Sequence, residues 1–144
     1  MKRMFIALAL IAASFTIAKA DDRPITFDKL PKAAKNFINT YFPKDKVSFA
    51  SVDDDFIAPD YQVALVSGVM LQFEHDGSLD QIKTRTGNIP AGIIPVQIIS
   101  AIQNQYPDAV IYEYEINKYS YEVKLSNRLE IKFDKAFNIV EIDD

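Results

Sequence analysis

The sequence contains no cysteine, and its only histidine is His75. The absence of cysteine excludes disulfide bonds, thiolate nucleophiles, cysteine-based zinc sites and lipid attachment at a cysteine. Any Ser-His chemistry would have to use His75, and a catalytic zinc ion usually takes more than one histidine. Folding must therefore depend on the burial of apolar side chains, and the sequence offers little material for catalysis.

Glycine and proline are also scarce, at 4 and 7 of 144 residues, whereas 49% of the residues are hydrophobic and 25% are charged. This balance is typical of a globular protein and excludes fibrous and disordered classes. The length suits one domain or two small ones.

The N-terminus has the pattern of a secretory signal. Lys2 and Arg3 precede an apolar run from Met4 to Ala13, and Ala18-Lys19-Ala20 matches the small-x-small cleavage pattern. The pattern predicts a signal peptide over residues 1–20, cleaved after Ala20, and a periplasmic or secreted protein; an uncleaved anchor is the alternative. No later segment is long and apolar enough to span a membrane.

The chain that remains after removal of the predicted signal has fewer basic than acidic residues. Loss of Lys2, Arg3 and Lys19 leaves 13 basic against 20 acidic residues, a formal net charge of −7. Such a charge argues against a nucleic-acid partner and against docking to an anionic membrane surface, since both need clustered Lys and Arg.

The remaining chain contains an internal repeat. Apolar residues between Leu30 and Tyr41 follow one helical stripe, which begins at Leu30-Pro31 and ends at Phe42-Pro43. The same pattern returns 64 residues later, between Ile94-Pro95 and Tyr106-Pro107. The repeated pattern predicts two helices in equivalent positions.

Alternating strands follow each helix. Tyr61–Leu65 matches Tyr121–Leu125, and Val69–Glu74 matches Leu129–Asp134, at an offset of 60. Ser67-Gly68 and Asn127-Arg128 predict the hairpin turns. Further strands are predicted by four segments: Val47–Val52, Leu79–Lys83, Val110–Ile116 and Ile139–Ile142. We therefore expect an α+β fold, a tandem repeat of a helix plus a four-stranded antiparallel sheet, with the helices on one face.

The predicted first unit spans residues 21–86 and the second spans residues 87–144, with a linker over Thr84–Gly92. Two such units side by side could join into a continuous sheet. The change of offset from 64 to 60 places a length difference in the acidic loop between Asp53 and Asp60. Oxygen-rich loops can bind calcium, but the ligand order of an EF-hand is absent, so a solvated charge run is the simpler interpretation.

No catalytic, cofactor-binding or metal-binding residues are predicted. Glu74, His75 and Asp76 are best interpreted as a solvated turn, and nothing in the sequence pairs two carboxylates across a cleft. The predicted outward face of the first unit is less charged than that of the second, and contiguous apolar surface tends to mark contact sites. This face is therefore expected to be a partner-binding surface or, alternatively, the seam between subunits. The candidate partner-binding residues are Gln62, Ala64, Val66, Met70, Gln72, Tyr112 and Tyr114.

The two tyrosines have alternative interpretations. Tyr112 and Tyr114 share the predicted strand face of Val110 and Ile116. They fill the core under the second helix, or they form an aromatic contact patch.

The chain resembles the PepSY-like family of exported bacterial proteins, also described as beta-lactamase-inhibitor-like. The features that carry the resemblance are the signal, the helix ends at Leu30-Pro31 and Phe42-Pro43, the paired strands, and the turn Phe73-Glu74-His75-Asp76-Gly77. The second copy departs from this pattern at Phe137, where the glycine is missing. The resemblance implies a sheet whose exposed face grips an extracytoplasmic protein, with no catalytic residues to transfer. The alternatives are a small-molecule or glycan binder with a pocket between the units, and a carboxylate-dependent hydrolase.

Overall fold

The computed structural model describes residues 22–53 and 58–144, so the predicted signal and the middle of the acidic loop lie outside the described residues. These described residues form nine strands and two helices, α1 (Lys32–Tyr41) and α2 (Val96–Gln105), and a short 3-10 turn (Phe27–Lys29) precedes α1. The nine strands are β1 (Asp22–Pro24), β2 (Val47–Asp53), β3 (Asp60–Leu65), β4 (Met70–Phe73), β5 (Leu79–Lys83), β6 (Ile111–Ile116), β7 (Ser120–Leu125), β8 (Glu130–Asp134) and β9 (Ile139–Asp143). The fold class is therefore α+β, as predicted.

All nine strands belong to one antiparallel sheet, in which the order of the strands is their order in the chain. The predicted hairpin turns are present. Gly68 (φ 97°) closes the β3–β4 turn and Arg128 (φ 72°) closes the β7–β8 turn. Glycine suits the first position because it tolerates positive φ, whereas Arg128 adopts the same left-handed region with a side chain.

Both helices pack on the same face of the sheet, which we call the inner face. Their buried side chains Ala34, Ile38, Ile98 and Ile102 form one core cluster with inner-face strand residues. One continuous row of that face crosses the whole sheet in register, through Ala50, Val63, Leu71, Ile82, Tyr114, Val123, Ile131 and Ile142. Helix stripes and strand alternation thus meet in a single apolar layer.

The two predicted units are joined at the β5–β6 pair. Ile82 lies opposite Tyr114 in this pair, and both side chains are buried. The linker also contributes, because the backbone N–H and the hydroxyl of Thr84 both donate to the carbonyl of Tyr112. The seam is therefore a continuous strand pairing with a filled core.

Two features of the sheet differ from the sequence prediction. The structure contains an additional edge strand, β1, which pairs with β2 and has only three residues. The predicted common face of Val110, Tyr112, Tyr114 and Ile116 is wrong, because a β-bulge interrupts β6 between Ile111 and Glu113. The bulge leaves Tyr114 in the core and Tyr112 without a register partner, and an extra residue of this kind breaks simple alternation.

We call β1–β5 with α1 the first half and β6–β9 with α2 the second half. The last hairpin turn of the first half differs from that of the second. Gly77 (φ 86°) is buried, and a Cβ atom placed on it would lie 2.8 Å from Cβ of Pro31, so the start of α1 packs directly on this turn. Phe137 (φ 68°) occupies the equivalent place after β8, and its ring stacks on Tyr121 with ring centroids 5.6 Å apart. The replacement of the glycine by Phe137 therefore changes what covers the sheet: the start of α1 packs on the turn at Gly77, whereas the ring of Phe137 packs on Tyr121 in the second turn.

None of the helices in the described residues has the length and apolar character needed to cross a membrane.

Candidate binding face

The sheet face opposite the helices, which we call the outer face, has a regular arrangement of side chains in two rows. The first row crosses the first half in register as Phe49, Ala64 and Met70, and we call it the apolar row. The second row consists of Gln62, Gln72 and Gln81, and we call it the glutamine row. Strand alternation produces these rows, because every second residue of each strand points away from the helices.

The apolar row is open to solvent. Phe49 is 52% exposed and Met70 is 42% exposed, and Val66, at the adjoining hairpin turn, is 67% exposed. These side chains are neighbours on one surface, in contrast to single apolar residues scattered over a protein surface. The exposed patch has no structural role within the described part of the chain, so it is a candidate contact surface.

The glutamine row adds hydrogen-bonding capacity beside the patch. Gln72 lies between Gln62 and Gln81 in the sheet register. Among the described residues none of the three side-chain amides has a hydrogen-bond partner. Each amide offers two N–H donors and one carbonyl acceptor to a molecule that covers the face.

The same rows are charged in the second half of the sheet. The row that contains Phe49, Ala64 and Met70 continues through Lys83 on β5 to Glu113, Lys124 and Glu130, and the Nζ atom of Lys124 lies 3.4 Å from Glu113 and 3.1 Å from Glu130. The glutamine row continues as Glu115, Glu122, Lys132 and Glu141. The Nζ atom of Lys132 lies 3.7 Å from Glu122 and 3.1 Å from Glu141. The second half thus presents ion pairs, whereas the first presents uncharged side chains up to Lys83 at the seam.

A hollow of about 600 Å³ lies at one end of the apolar row. Ala64, Val66 and Met70 line it together with two cationic side chains, Lys83 and Arg85. The stem of Arg85 crosses the β3–β4 turn, since Cδ of Arg85 would lie 3.0 Å from a Cβ atom placed on Gly68. The patch therefore has a concave border at which two cationic side chains lie together with one carboxylate, that of Glu113.

Two outer-face carboxyl groups have raised pKa values. Burial raises the pKa of Glu115, and the neighbouring Glu122 and Asp80 carboxylates add to the effect. Burial likewise raises the pKa of Asp80, with help from Glu74 and Asp60. In one of the ion pairs the pKa of the lysine is raised. The hydrogen bond from Lys124 to Glu130 raises the pKa of Lys124, and the charge of Glu113 acts in the same direction.

The structure brings most of the predicted site residues together. Gln62, Ala64, Met70 and Gln72 are neighbours on the outer face, and Val66 borders them. Tyr114 does not belong there, because it is buried in the core, which was the first of its two interpretations. Tyr112 lies in the other half of the sheet, at the β6 bulge, away from the apolar row.

Sequence reasoning missed Phe49 and Gln81. A bulge between Val47 and Phe49 places Val47 opposite Leu65 on the inner face and Phe49 opposite Ala64 on the outer face. Strict alternation places Val47 and Phe49 on the same face of the sheet, so the sequence pattern does not predict that Phe49 lies on the outer face. Gln81 lies within a predicted strand beside apolar Ile82, so alternation with Ile82 was the sequence signal for its outward position, where it faces Gln72.

His75 is exposed in the turn after β4, and no group of three or more His, Asp or Glu side chains within residues 22–53 and 58–144 could hold a metal ion. Asp53 and Asp60 lie opposite each other at the base of the acidic loop. Asp54 and Asp55, which complete that loop, lie outside the described residues.

Comparisons with known proteins agree with this architecture. Residues 59–141 match a family described as "Putative beta-lactamase-inhibitor-like, PepSY-like". No curated protein matches the chain significantly. Three crystal structures from Bacteroides species have closely similar folds.

The first is a periplasmic protein of the DUF2874 family from Bacteroides vulgatus, with 38% identity and a TM-score of 0.82 over 87% of this chain and 98% of the other. The second, from Bacteroides thetaiotaomicron, is described as a "putative calcium-regulated periplasmic protein", with 37% identity and a TM-score of 0.82 over 86% and 98%. The third is another periplasmic protein from Bacteroides vulgatus, with 28% identity and a TM-score of 0.80 over 85% and 99%.

Proposed function

Because this chain belongs to the PepSY-like, beta-lactamase-inhibitor-like family, we propose that it is an exported, non-catalytic protein that binds another extracytoplasmic protein. The contact surface is the outer face of the first half, made of the apolar row, the glutamine row and Val66. The observation that supports this most directly is the exposure of Phe49 and Met70 on either side of Ala64 in one row, with exposed Val66 at the adjoining turn.

Burial of these side chains would supply binding energy. Full burial of a side chain of this size is worth about 1.5–3 kcal/mol relative to exposure. The glutamine amides would then be shielded from water, and each unsatisfied group would cost about 1–3 kcal/mol. A partner must therefore place polar groups opposite Gln62, Gln72 and Gln81, which gives the face selectivity as well as affinity.

The second half is a poorer surface for the same purpose. A partner covering Lys124 and Lys132 would have to remove water from ion pairs, and that desolvation offsets much of the attraction. We propose that the two halves are diverged copies of one unit, and that only the first kept a face suited to binding. Equivalent positions support this view, since Phe49, Ala64 and Met70 correspond to Glu113, Lys124 and Glu130.

An extracytoplasmic location is part of the proposal. It is supported by the N-terminal signal pattern and by the description of the similar structures as periplasmic proteins. A pocket between the two halves, the alternative considered from the sequence, would have to displace Ile82 and Tyr114 from the seam on the inner face.

Capture of partners from the exported protein fraction tests the proposal. The variant combines Phe49→Glu and Met70→Glu, which gives the apolar row the glutamates found in the second half. We expect mass spectrometry to find at least one protein captured by the wild type and depleted at least about tenfold with the variant, the ratio that corresponds to 1.4 kcal/mol.

The matched control is Glu130→Gln with Lys132→Gln, which changes the outer face of the second half only. This control should retain the same partner, and circular dichroism should show that both variants are folded. Equal capture by the wild type and the Phe49/Met70 variant would exclude the first-half outer face as the contact surface.

A further inference from the structure

The edge of the sheet at β9, which no other strand of the described residues covers, is a second surface with binding capacity. β9 occupies the same place in the second half as β5 in the first, with Ile142 at the position of Ile82. Ile82 is 0% exposed because β6 covers the edge of β5 and places Tyr114 beside it. Ile142 is 45% exposed, because β9 has only β8 as a neighbour among the described strands.

The β9 edge lacks two of the usual protections of an edge strand, shortness and proline, and its charged side chains are acidic. Unpaired N–H and C=O groups point outward from an edge, and proteins shorten such strands or place proline or lysine in them. The opposite edge, β1, is protected in this way, since it has three residues and ends at Pro24. β9 has five residues without proline or lysine, and Val140 and Ile142 are exposed along it.

The charge of the edge limits what can pair with it. Glu141 and Asp143 flank Ile142, and Asp143 lies opposite another acidic residue, Glu130, on β8. Among the described residues, Lys132 is the one lysine with a salt bridge to this strand, and its Nζ atom lies 3.1 Å from Glu141. Antiparallel pairing of β9 with β9 of a second copy would set these carboxylates against each other, and like charges directly opposite are unfavourable in a sheet.

We propose that β9 binds an extended segment of another protein that carries alternating basic and apolar residues, added antiparallel to the sheet. Two Lys or Arg side chains of the segment lie opposite Glu141 and Asp143, and an aromatic or aliphatic side chain between them covers Ile142. The β5–β6 pair shows the geometry within the same sheet, where Tyr114 lies opposite Ile82 and Glu113 lies opposite Lys83. Strand addition of this kind draws affinity from main-chain hydrogen bonds and specificity from alternate side chains.

The chain itself provides the probe. A capped synthetic peptide with the sequence of β6, residues 111–116, and both glutamates changed to lysine has the required pattern; the unchanged β6 peptide is its matched control. Binding is followed by amide NMR on the isotope-labelled protein at low salt. We expect the lysine peptide to slow amide hydrogen exchange in β9 and to bind at least about tenfold more tightly than the glutamate peptide.

A charge-swapped protein separates pairing from non-specific attraction. Glu141→Lys with Asp143→Lys should reverse the preference, so that the unchanged β6 peptide binds more tightly. Met70→Glu should leave binding of the lysine peptide unchanged, which keeps this test independent of the proposed outer-face function. Two results would overturn the proposal: no change in the β9 amides, or slowed exchange that depends on protein concentration without peptide and so indicates pairing between copies.

Discussion

Gly77 and Phe137 occupy the same turn in the two halves and show how one residue decides what covers a sheet. Gly77 lets the start of α1 approach the backbone, with Ala33 and Ala34 also close to it. Phe137 fills the corresponding space with its own ring, and the Nζ atom of Lys135 lies 3.9 Å from the centroid of the Tyr121 ring on which Phe137 stacks. The first half therefore depends on close helix packing, and the second on an aromatic stack.

Replacement of Gly77 by alanine should be strongly destabilising. The new Cβ would lie 2.8 Å from Cβ of Pro31 and 2.9 Å from the backbone nitrogen of Ala34, at a φ of +86°. We expect the free energy of unfolding to fall by about 3 kcal/mol, from left-handed strain and overpacking together. Urea denaturation measures the change.

Gly68→Ala is the matched control. Gly68 has a similar φ of +97°, but the nearest atoms belong to the flexible side chain of Arg85. Only the strain of about 1–2 kcal/mol should remain. Equal losses for the two variants would show that the contact with α1 is unimportant.

At the level of strands, the charged rows of the second half combine attractive and repulsive pairs. Lys124 and Lys132 each lie between two glutamates, whereas Glu115 lies directly opposite Glu122. The rise in the pKa of Glu115, caused first by burial and then by Glu122, indicates that its charge is unfavourable in the folded state.

Glu115→Gln should therefore stabilise the protein at pH 7. Like charges directly opposite in a sheet cost about 0.2–1 kcal/mol, and we expect a gain within that range. A carboxyl group with a raised folded-state pKa binds its proton more tightly when folded, so its penalty is present at neutral pH and disappears as the pH falls through that pKa. Unfolding measured at pH 7 and near pH 3 should show the gain only at pH 7.

Glu141→Gln provides the opposite case in the same sheet, because Glu141 lies opposite Lys132. It removes a partner that lies 3.1 Å from the Nζ atom of Lys132, so it should cost up to about 0.5 kcal/mol at pH 7. A loss of stability with Glu115→Gln would show that the Glu115 charge has a favourable partner.

Strand and helix positions were largely predictable because alternation and helical stripes follow directly from which face is buried. The strand Leu79–Lys83 has the predicted bounds, and α1 lies within the predicted segment. The bulges at Phe49 and Tyr112 could not be predicted, since one extra residue leaves the composition unchanged and reverses the faces beyond it. For this reason four outer-face residues of the candidate site were found and Phe49 was missed.

At the level of the whole molecule, the β5–β6 seam makes the two halves share one core. Ile82 on β5 and Tyr114 on β6 lie opposite each other and are both buried. Side chains from both helices belong to the same hydrophobic core cluster. We expect one cooperative unfolding transition, because opening either half would expose the apolar edge of the other.

Ile82→Ala tests this coupling. Loss of a fully buried isoleucine should cost about 3 kcal/mol, and amide exchange in α1 and α2 should shift to the same lower urea midpoint. Ile142→Ala is the matched control, since the equivalent position is half exposed and should cost less than about 1 kcal/mol. Separate midpoints for the two helices would show that the halves unfold independently.

The order of the strands has a consequence for how the fold is reached. Every neighbouring pair in the sheet joins strands that are consecutive in the chain, and the longest connection contains only a linker and one helix. When the chain is synthesised or exported N-terminus first, the strand that precedes each new strand in the chain is already available for pairing. No strand depends on a partner that is distant in the sequence. Topologies of this kind close small loops and fold quickly for β-rich proteins.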